Sequence, residues 1–310
     1  MPSNSSTSTP SAAAEQSAAN RRGIAALSLA MACFIANDAL VKYVSQTLGG
    51  AQLIFIRGVF ASVLLLGVAH RMGATQRLGE ILRGRIAVRA VLDALATLIY
   101  LSSLFHLPLG NATAINMATP LFITLFAVLF MHERVHAGRW LAIGAGFLGV
   151  LLVVQPQADG FNSWAWVCVL GTLFHAARDL MTRSIPGSVP SVLITLATAV
   201  SVPLLAGPVS LVQGWKPVHA EHVALLATAS VFLSIGYFLL IHSLRKGEMS
   251  VIAPFRYTGL LFALLVGYVV WGDMPNALAW GGIALLLCAG LYMLHSERAR
   301  ARAALEAAAD

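Results

Sequence analysis

The sequence predicts an all-α integral membrane protein whose ten transmembrane helices form two inverted repeats of five. Composition indicates the membrane class, because 58% of the residues are hydrophobic and 11% are charged, whereas a soluble domain carries about 25% charged residues. The apolar residues form ten runs, and a membrane-spanning helix needs roughly 17–25 of them. A repeat with an odd number of crossings re-enters the bilayer from the opposite side, so its second copy is inverted.

Helix breakers and polar residues separate the ten apolar runs. The fifth run is short, and the seventh contains Pro203 and Pro208, which remove backbone hydrogen bonds from a helix interior. Residues 1–23 are expected to form a disordered cytoplasmic tail, and residues 297–310 a cytoplasmic C-terminal tail that could form a short surface helix. The predicted spans are 24–44, 50–70, 86–105, 111–130, 139–154, 163–182, 190–212, 222–244, 251–271 and 277–296.

The distribution of basic residues predicts the orientation of the spans. Fourteen arginines and lysines fall on one side of the predicted bundle, and two, Lys42 and Lys216, fall on the other. Basic residues collect on the cytoplasmic side of membrane proteins. Both termini are therefore expected in the cytoplasm, with the chain crossing the cell inner membrane many times. This bias accounts for the net charge of +7, and no nucleic-acid partner is expected.

Residues 24–154 and 163–296 look like two copies of one unit. An acid followed four positions later by a base occurs near the start of each copy, and a tyrosine followed ten positions later by a glycine occurs in the middle. Each copy ends with an acid, a short link and a tryptophan on the first turn of a Gly/Ala-rich helix. The matched positions are Asp38 and Lys42 with Asp179 and Arg183, Tyr100 and Gly110 with Tyr237 and Gly247, and Glu133, Ala137, Trp140 and Ile143 with Asp273, Ala277, Trp280 and Ile283.

The same segments resemble a known transporter repeat. Residues 108–152 contain Leu-Gly-Asn-Ala-Thr-Ala-Ile, Thr-Pro-Leu-Phe and Gly-Arg-Trp-Leu-Ala-Ile-Gly-Ala-Gly, and the second span contains Phe55-Ile56-Arg57-Gly58. These motifs are similar to the EamA-type repeat of the drug/metabolite transporter (DMT) superfamily. The resemblance implies ten helices in an inverted five-plus-five arrangement. It also implies that helices one to four and six to nine line a central cavity, with helices five and ten outside it.

Seven ionisable residues lie inside predicted spans, where a charge costs at least about 2.5–3.5 kcal/mol on insertion scales. Asp38 and Arg57 are expected at similar depth on neighbouring helices, about two turns from the outer side. They are interpreted either as a cavity pair whose partner changes when a substrate or proton binds, or as a permanent ion pair between two helices. Arg89, Arg178 and Arg256 lie one or two turns from inner helix ends, so they are interpreted either as anchors that reach the membrane surface or as cavity residues. The seven residues are Asp38, Arg57, Arg89, Asp93, Arg178, Asp179 and Arg256.

The acidic residues in the spans are candidates for proton coupling. Arg89 and Asp93 are four positions apart, which permits an ion pair within one helix, and Asp93 lies deeper and could take up a proton. His175 and Asp179 have the same spacing, so His175 is interpreted as a proton relay, a substrate contact or a packing histidine. Two ligands without a third do not predict a metal site. The proton-coupling hypothesis therefore comprises Asp38, Asp93 and Asp179.

Aromatic and amide side chains supply further candidates for the cavity lining. Tyr100 and Tyr237 occupy matched positions in the two copies and offer an aromatic face with a hydroxyl. Pro120 lies inside the fourth span and Pro254 near the start of the ninth, where a proline kinks the helix and can free carbonyl groups. Packing is the alternative role for each of these side chains. The substrate-binding hypothesis comprises Asp38, Arg57, Tyr100, Asn116, His175, Tyr237 and Tyr257.

No cofactor or metal is predicted. Cys33, Cys168 and Cys288 lie in predicted spans, are odd in number and lack the spacing of metal ligands, so neither a disulfide framework nor a zinc site is expected. Glycines in the fifth and tenth spans allow close helix approach, either as scaffold or at the interface of a homodimer. These glycines are Gly144, Gly146, Gly149, Gly281, Gly282 and Gly290.

The combined pattern favours a secondary carrier over an enzyme. A small polar or amphipathic solute would bind between the halves, which would rock about it, driven by a proton gradient or by exchange. Proteins that the chain resembles carry amino acids, S-adenosylmethionine, riboflavin and other aromatic metabolites. The alternatives are a lipid-modifying membrane enzyme, which needs a cluster of acids or histidines at one face, and a passive channel, which does not need matched inverted halves.

Overall fold

The computed structural model describes residues 10–82, 84–131, 137–155, 162–186, 188–246 and 253–307, and these residues fold into α-helices and two short 3-10 segments, with no strand among them. The 3-10 segments are Ala74–Glu80 and Ala253–Tyr257. The helices are α1 Pro10–Val44, α2 Gly50–Arg71, α3 Gly84–Leu104, α4 Leu109–Asn116, α5 Thr119–Met131, α6 Ala137–Val154, α7 Trp164–Arg183, α8 Ser191–Gln213, α9 Ala220–Lys246, α10 Thr258–Trp271 and α11 Ala277–Ala307.

The first helix is longer than the sequence predicted. Residues 10–23, which were expected to belong to a disordered tail, continue α1 toward the N-terminus. Proline is favourable at the first position of a helix and alanine is the best helix former, and this stretch begins with Pro10 and is rich in alanine. Residues 1–9 and 308–310 lie outside the described residues. The last helix likewise extends to Ala307, through most of the predicted C-terminal tail.

Six helical segments in the described ranges are long and apolar enough to cross a membrane. Three shorter apolar helices are also present, and α7 carries Arg178, Asp179 and Arg183 in its last two turns. The predicted count of ten crossings therefore does not follow from helix length and composition alone. The six segments are Ala18–Val44, Gly50–Arg71, Gly84–Leu104, Leu109–Phe126, Ser191–Gln213 and Ala220–Leu240, and the shorter ones are Trp140–Val154, Phe255–Trp271 and Ala277–Met293.

The outer surface of the bundle is apolar. Large aliphatic side chains on peripheral helices are strongly exposed, such as Leu141 at 75%, Leu211 at 73% and Val212 at 90%. Apolar exposure on this scale marks a surface that contacts lipid or another protein. The chain is accordingly a multi-pass membrane protein.

Two opposite ends of the bundle can be identified from hydrogen bonds between elements. At the Gly23 end, where the apolar part of α1 begins, Ser243 Oγ donates to the Gly23 carbonyl at 2.8 Å. At the Lys42 end, where α1 finishes, the Lys42 ammonium donates to the Leu104 carbonyl at 3.1 Å. Asn162, which immediately precedes α7, also lies at the Lys42 end, because it donates to the His106 carbonyl at 2.7 Å. The helices that open the two halves thus start from opposite ends.

Helix packing in the two halves follows the same plan. The most extensive contacts join α1 to α9, α3 to α7, α2 to α8 and α6 to α11. Helices α1, α2, α3 and α6 of the first half correspond to α7, α8, α9 and α11 of the second. Exchanging corresponding helices therefore converts the α1–α9 contact into the α7–α3 contact and leaves the α2–α8 and α6–α11 contacts unchanged. The cores of the two halves therefore meet along an interface in which each half uses equivalent helices.

The fourth segment of each half is interrupted. Helix α4 ends at Asn116 and α5 begins at Thr119, and Pro120 occupies the first turn of α5, where its missing N–H is not needed. In the second half, the 3-10 segment Ala253–Tyr257 precedes α10. Both interruptions lie beside the central cavity described below, so they bring non-helical backbone and its polar groups to that cavity.

The helices α6 and α11 cross closely at a pair of glycines. A Cβ atom on Gly149 would lie 2.8 Å from the Gly282 carbonyl oxygen, and one on Gly282 would lie 2.6 Å from the Gly149 carbonyl oxygen. A Cβ on Gly144 or Gly281 would meet nothing within 4 Å. Two of the six glycines predicted to allow close approach therefore make this crossing, within one chain.

We expect Gly282→Ala to lower the apparent melting temperature of the detergent-purified protein, because the added methyl overlaps the α6 backbone and overpacking costs about 1–3 kcal/mol. Gly281→Ala is the matched control. It should be neutral or stabilising, since alanine favours a helix over glycine by about 0.8–1.0 kcal/mol. A Gly282→Ala protein that melts at or above the wild-type temperature would contradict the close crossing.

Candidate functional site

A cavity of about 500 Å³ lies between the two halves of the bundle. Its lining comes from the first four and from the sixth to ninth predicted segments, and none of the lining residues belongs to α6 or α11. This is the division of helices that the family resemblance implied. All seven ionisable residues that the sequence places inside spans line this one cavity.

The cavity extends toward the Gly23 end. Its lining reaches Arg89, Asp179 and Thr195, each within about two turns of a helix terminus at that end. On α8 and α9 the lining stops at Val202 and Leu233, near the middle of each helix. The lining of the second half thus lies nearer the Gly23 end, whereas on α3 the lining also reaches Leu101, one turn from the Lys42 end.

Cross-helix contacts close the Lys42 end. The Lys42 ammonium donates to the carbonyl oxygens of Leu104 and Leu107 at the end of α3 and lies 5.4 Å from the centre of the Trp271 ring. A cation beside a helix C-terminus also interacts favourably with the helix dipole. Gln52 adds a second link, donating to the Lys216 carbonyl at 2.9 Å. These contacts join α1, α2, the end of α3, the segment before α9 and the last residue of α10.

Asp93 is the centre of an ionic cluster on the α3, α7 and α8 side of the cavity. Its carboxylate accepts from Arg178 at 2.7 Å and from Arg89 at 3.4 Å, and Thr198 Oγ1 donates to it at 2.7 Å. Asp179 pairs with the same Arg178 guanidinium at 2.8 Å. The predicted Arg89–Asp93 pair is confirmed. Two cations therefore surround a carboxylate that is 2% exposed, which satisfies the requirement that a buried charge be paired.

Asp38 and Arg57 are connected through a third residue, Asn37. Arg57 Nη1 donates to Asn37 Oδ1 at 3.2 Å, and Asn37 Nδ2 donates to Asp38 Oδ1 at 2.9 Å. Among the described residues, no direct salt bridge joins the two charged groups. Of the two interpretations left open, a direct ion pair between α1 and α2 is not what this structure shows, because the Asn37 amide lies between the two side chains.

The aromatic and amide candidates cluster on both sides of Asp38. Tyr100 donates to Asp38 at 3.4 Å, and its ring centre lies 5.6 Å from that of His175. His175 Nδ1 is hydrogen-bonded to Asn116 Oδ1 at 2.9 Å. Tyr237 lines the cavity and packs edge-on against Phe34, with 5.2 Å between ring centres.

Tyr257 differs from the other tyrosines of the cavity. It lines the cavity, but its buried hydroxyl has no hydrogen-bond partner and abuts Gly290 of α11, where a Cβ would overlap it. The hydroxyl therefore points toward the scaffold helix, and Tyr257 presents mainly its ring to the cavity.

All nine residues of the substrate-binding and proton-coupling hypotheses line the cavity. The predicted set lacks Asn37, Thr182 and Thr198, which complete the polar contacts of the charged side chains. Neutral amides and hydroxyls inside a span are common, so they carry no signal comparable to that of a charge. An asparagine directly before an intramembrane aspartate, as at Asn37, was the available clue.

The side chains that could bind a metal ion are spread over the described part of the bundle. Among the described residues, no group of three His, Cys, Asp or Glu side chains lies close enough to hold a metal ion. Cys33 and Cys168 are buried and Cys288 is exposed, and all three are free. Glu133, whose repeat partner is Asp273, lies outside the described residues.

Comparison with known proteins agrees with this architecture. The model of the EamA-like transporter family matches residues 21–155 and 162–295, one copy in each half. A solved crystal structure shares the fold with a TM-score of 0.61 at 15% identity, covering 90% of this chain and 97% of that one.

Curated relatives are transporters whose names refer to different solutes. The chain is 31% identical to a riboflavin transporter of Rhizobium johnstonii, over 70% of this chain and 72% of that protein. It is 27% identical to the pseudopaline exporter CntI of Pseudomonas aeruginosa, over 90% and 98% of the two chains. It is 24% identical to an S-adenosylmethionine uptake transporter of Rickettsia conorii, over 89% and 93%. With a family match in both halves of the chain, the protein belongs to the EamA-like transporter family, within the drug/metabolite transporter superfamily.

Proposed function

We propose that this protein is a secondary carrier, and not an enzyme, that moves a small amphipathic organic metabolite across the inner membrane by alternating access. The observation that supports it most is the 500 Å³ cavity between equivalent helices of the two halves, lined by all seven ionisable residues of the predicted spans. Ionisable groups inside membrane proteins concentrate along substrate and ion pathways. An ion pathway alone would not need aromatic rings along its wall.

The lining supports an amphipathic cargo. Tyr100, Tyr237 and Tyr257 supply aromatic surface, and Arg57 and Asp38 supply charge at the same depth. The names of the relatives, which refer to riboflavin, pseudopaline and S-adenosylmethionine, describe metabolites that are small and organic. The substrate-binding set of this proposal is Asp38, Arg57, Tyr100, Asn116, His175, Tyr237 and Tyr257.

The asymmetry of the two ends supports alternating access. The Lys42 end is closed by contacts between elements of both halves, such as Gln52 with Lys216, while the cavity extends toward the Gly23 end. If both termini are cytoplasmic, this conformation faces the cytoplasm. Rocking of the halves about the α2–α8 and α6–α11 contacts would break the Lys42 contacts and expose the cavity to the other side.

Within the proton-coupling hypothesis, Asp38 is the most suitable residue. Asp93 and Asp179 are in contact with arginine, and protonating either carboxylate would forfeit a charge-assisted hydrogen bond. Asp38 receives hydrogen bonds from the neutral groups Asn37 and Tyr100. Uptake or release of a proton there would change the charge of the cavity without breaking an ion pair.

A topology measurement tests the ten crossings. A reporter inserted between Gln155 and Asn162 should lie outside the cytoplasm, while reporters at both termini lie inside, because five crossings separate them. A cytoplasmic signal at all three positions would contradict the inverted repeat and, with it, the carrier proposal.

A transport measurement tests the carrier class. We expect purified protein in proteoliposomes to show saturable uptake of labelled riboflavin or S-adenosylmethionine. Unlabelled solute inside the liposomes should accelerate this uptake, because the binding site of a carrier returns to the outside faster when it is loaded. A pH gradient should change the rate, and Asp38→Asn should abolish that dependence while Asp179→Asn retains it.

The same assay separates the alternatives. Flux that does not saturate and shows no exchange would indicate a channel, and chemical conversion of the solute would indicate an enzyme. Protein-free liposomes give the background for each solute.

Arg57→Ala should abolish the thermal stabilisation of the purified protein by its solute, while expression stays at the wild-type level. Removing one partner of a buried charge contact costs about 2–5 kcal/mol of binding, and Arg57 is 5% exposed. Arg256→Ala, at an exposed arginine that lines the same cavity, is the matched control and should have a smaller effect. Full transport by Arg57→Ala would show that Arg57 does not anchor the solute.

A further inference from the structure

The Asn37 amide shows which pattern of groups Arg57 and Asp38 recognise. Its oxygen accepts from Arg57 at 3.2 Å and its nitrogen donates to Asp38 at 2.9 Å. A donor and an acceptor held a few bonds apart thus fit between the two charged side chains. In an α-amino acid the carboxylate is the acceptor and the ammonium is the donor, and three bonds separate their polar atoms, against two in an amide.

Arg57 has binding capacity that Asn37 does not use. Its side chain is 5% exposed and lines the cavity, and its Nε is buried without a hydrogen-bond partner. The amide of Asn37 offers one acceptor oxygen, whereas a carboxylate offers two that match the guanidinium fork. A carboxylate would therefore satisfy an arginine donor that the chain itself leaves unpaired.

The repeat relates the Arg57 site to the Asp93 cluster. Asn37 directly precedes Asp38, as Arg178 directly precedes Asp179, so Asn37 and Arg178 are equivalent positions of the repeat. Asp93 stands as far before Tyr100 as Ser230 stands before Tyr237, so Asp93 and Ser230 are equivalent as well. In one cluster the Asp93 carboxylate binds the guanidinium of Arg178 at 2.7 Å.

In the matching cluster the carboxylate is replaced by a hydroxyl. Ser230 Oγ stands at the position equivalent to Asp93 and contacts the Arg57 carbonyl at 3.0 Å, not its guanidinium. Among the described residues, Arg57 has no carboxylate in salt-bridge contact. The position of Arg178 is likewise taken by the neutral Asn37, so the charges of this second cluster are Arg57 and Asp38, which meet only through the Asn37 amide. Arg57 therefore has no direct anionic partner in the described part of the chain, and a bound carboxylate would supply one.

We infer that Arg57, Asn37 and Asp38 form the subsite for the α-amino-acid headgroup of the transported metabolite, with its carboxylate on Arg57 and its ammonium on Asp38. This rests on the proposed carrier function and specifies its substrate class. Both charges of a zwitterion are then paired, which offsets the cost of burying them. The rest of the metabolite extends along the Tyr100 and His175 rings, which lie next to Asp38.

Equilibrium binding to the purified full-length protein tests the headgroup. The probes are L-methionine, its amide, which lacks the carboxylate, and its des-amino acid, which lacks the ammonium. S-adenosylmethionine carries the methionine headgroup on a larger body, and riboflavin lacks it. We expect L-methionine and S-adenosylmethionine to bind, and each truncated methionine to bind more weakly by about thirtyfold or more, as for a buried charge that loses its partner.

Variants assign each charge to its residue. Arg57→Gln should bind L-methionine and its amide equally, and Asp38→Asn should bind L-methionine and the des-amino acid equally. Arg57→Lys keeps the positive charge but loses the forked donors of the guanidinium, and it should retain part of the preference for the carboxylate. Asp179→Asn and Arg256→Gln change charges in the same cavity, and in both proteins the ratios among the three probes should keep their wild-type values.

The outcomes separate this inference from the carrier proposal. Equal binding of the three methionine probes by the wild type overturns the headgroup assignment, as does binding of riboflavin alone, and in both cases the carrier proposal stands. A preference for the carboxylate that survives Arg57→Gln also overturns it. Should the variants fail to fold, the wild-type ratios decide by themselves. Absence of saturable transport for every solute would instead contradict the carrier proposal.

Discussion

The pairing of charges inside the bundle is the constraint on which the rest of this structure depends. An ionised side chain in a bilayer is stable only where protein groups or trapped water replace its hydration. Asp93 meets this requirement with Arg178, Arg89 and Thr198, and in doing so it joins α3, α7 and α8. Because these helices come from both halves, the need to neutralise one carboxylate also brings the two repeats together around a polar interior.

Much of the fold and of the candidate site could be predicted from the sequence because lipid penalises charge so strongly. A charge within an apolar run must face a polar interior or reach the membrane surface, so the sequence marked seven ionisable residues and left a cavity role as one of the alternatives for each arginine. The structure places all seven on the lining of one cavity. Helix number was harder to predict. The short fifth, ninth and tenth segments and the charged α7 are less apolar or shorter than a typical span, and length and composition alone identify six.

Partner choice within the cavity could not be predicted, for a geometric reason. Spacing along one helix revealed the Arg89–Asp93 contact, but the shorter Arg178–Asp93 contact depends on how α7 is rotated against α3. The placement of Asn37 between Asp38 and Arg57 depends in the same way on the packing of α1 against its neighbours. Sequence periodicity fixes which residues share a helix face, and the rotation of each helix then follows from packing across the whole bundle.

The glycine crossing of α6 and α11 has a consequence for how this family diversifies. Since these two helices contribute nothing to the lining of the cavity among the described residues, the frame that keeps the molecule together is separate from the surface that selects its cargo. Substitutions on that surface can then accumulate without loosening the frame. One scaffold can in this way serve relatives whose names refer to solutes as different as riboflavin and S-adenosylmethionine.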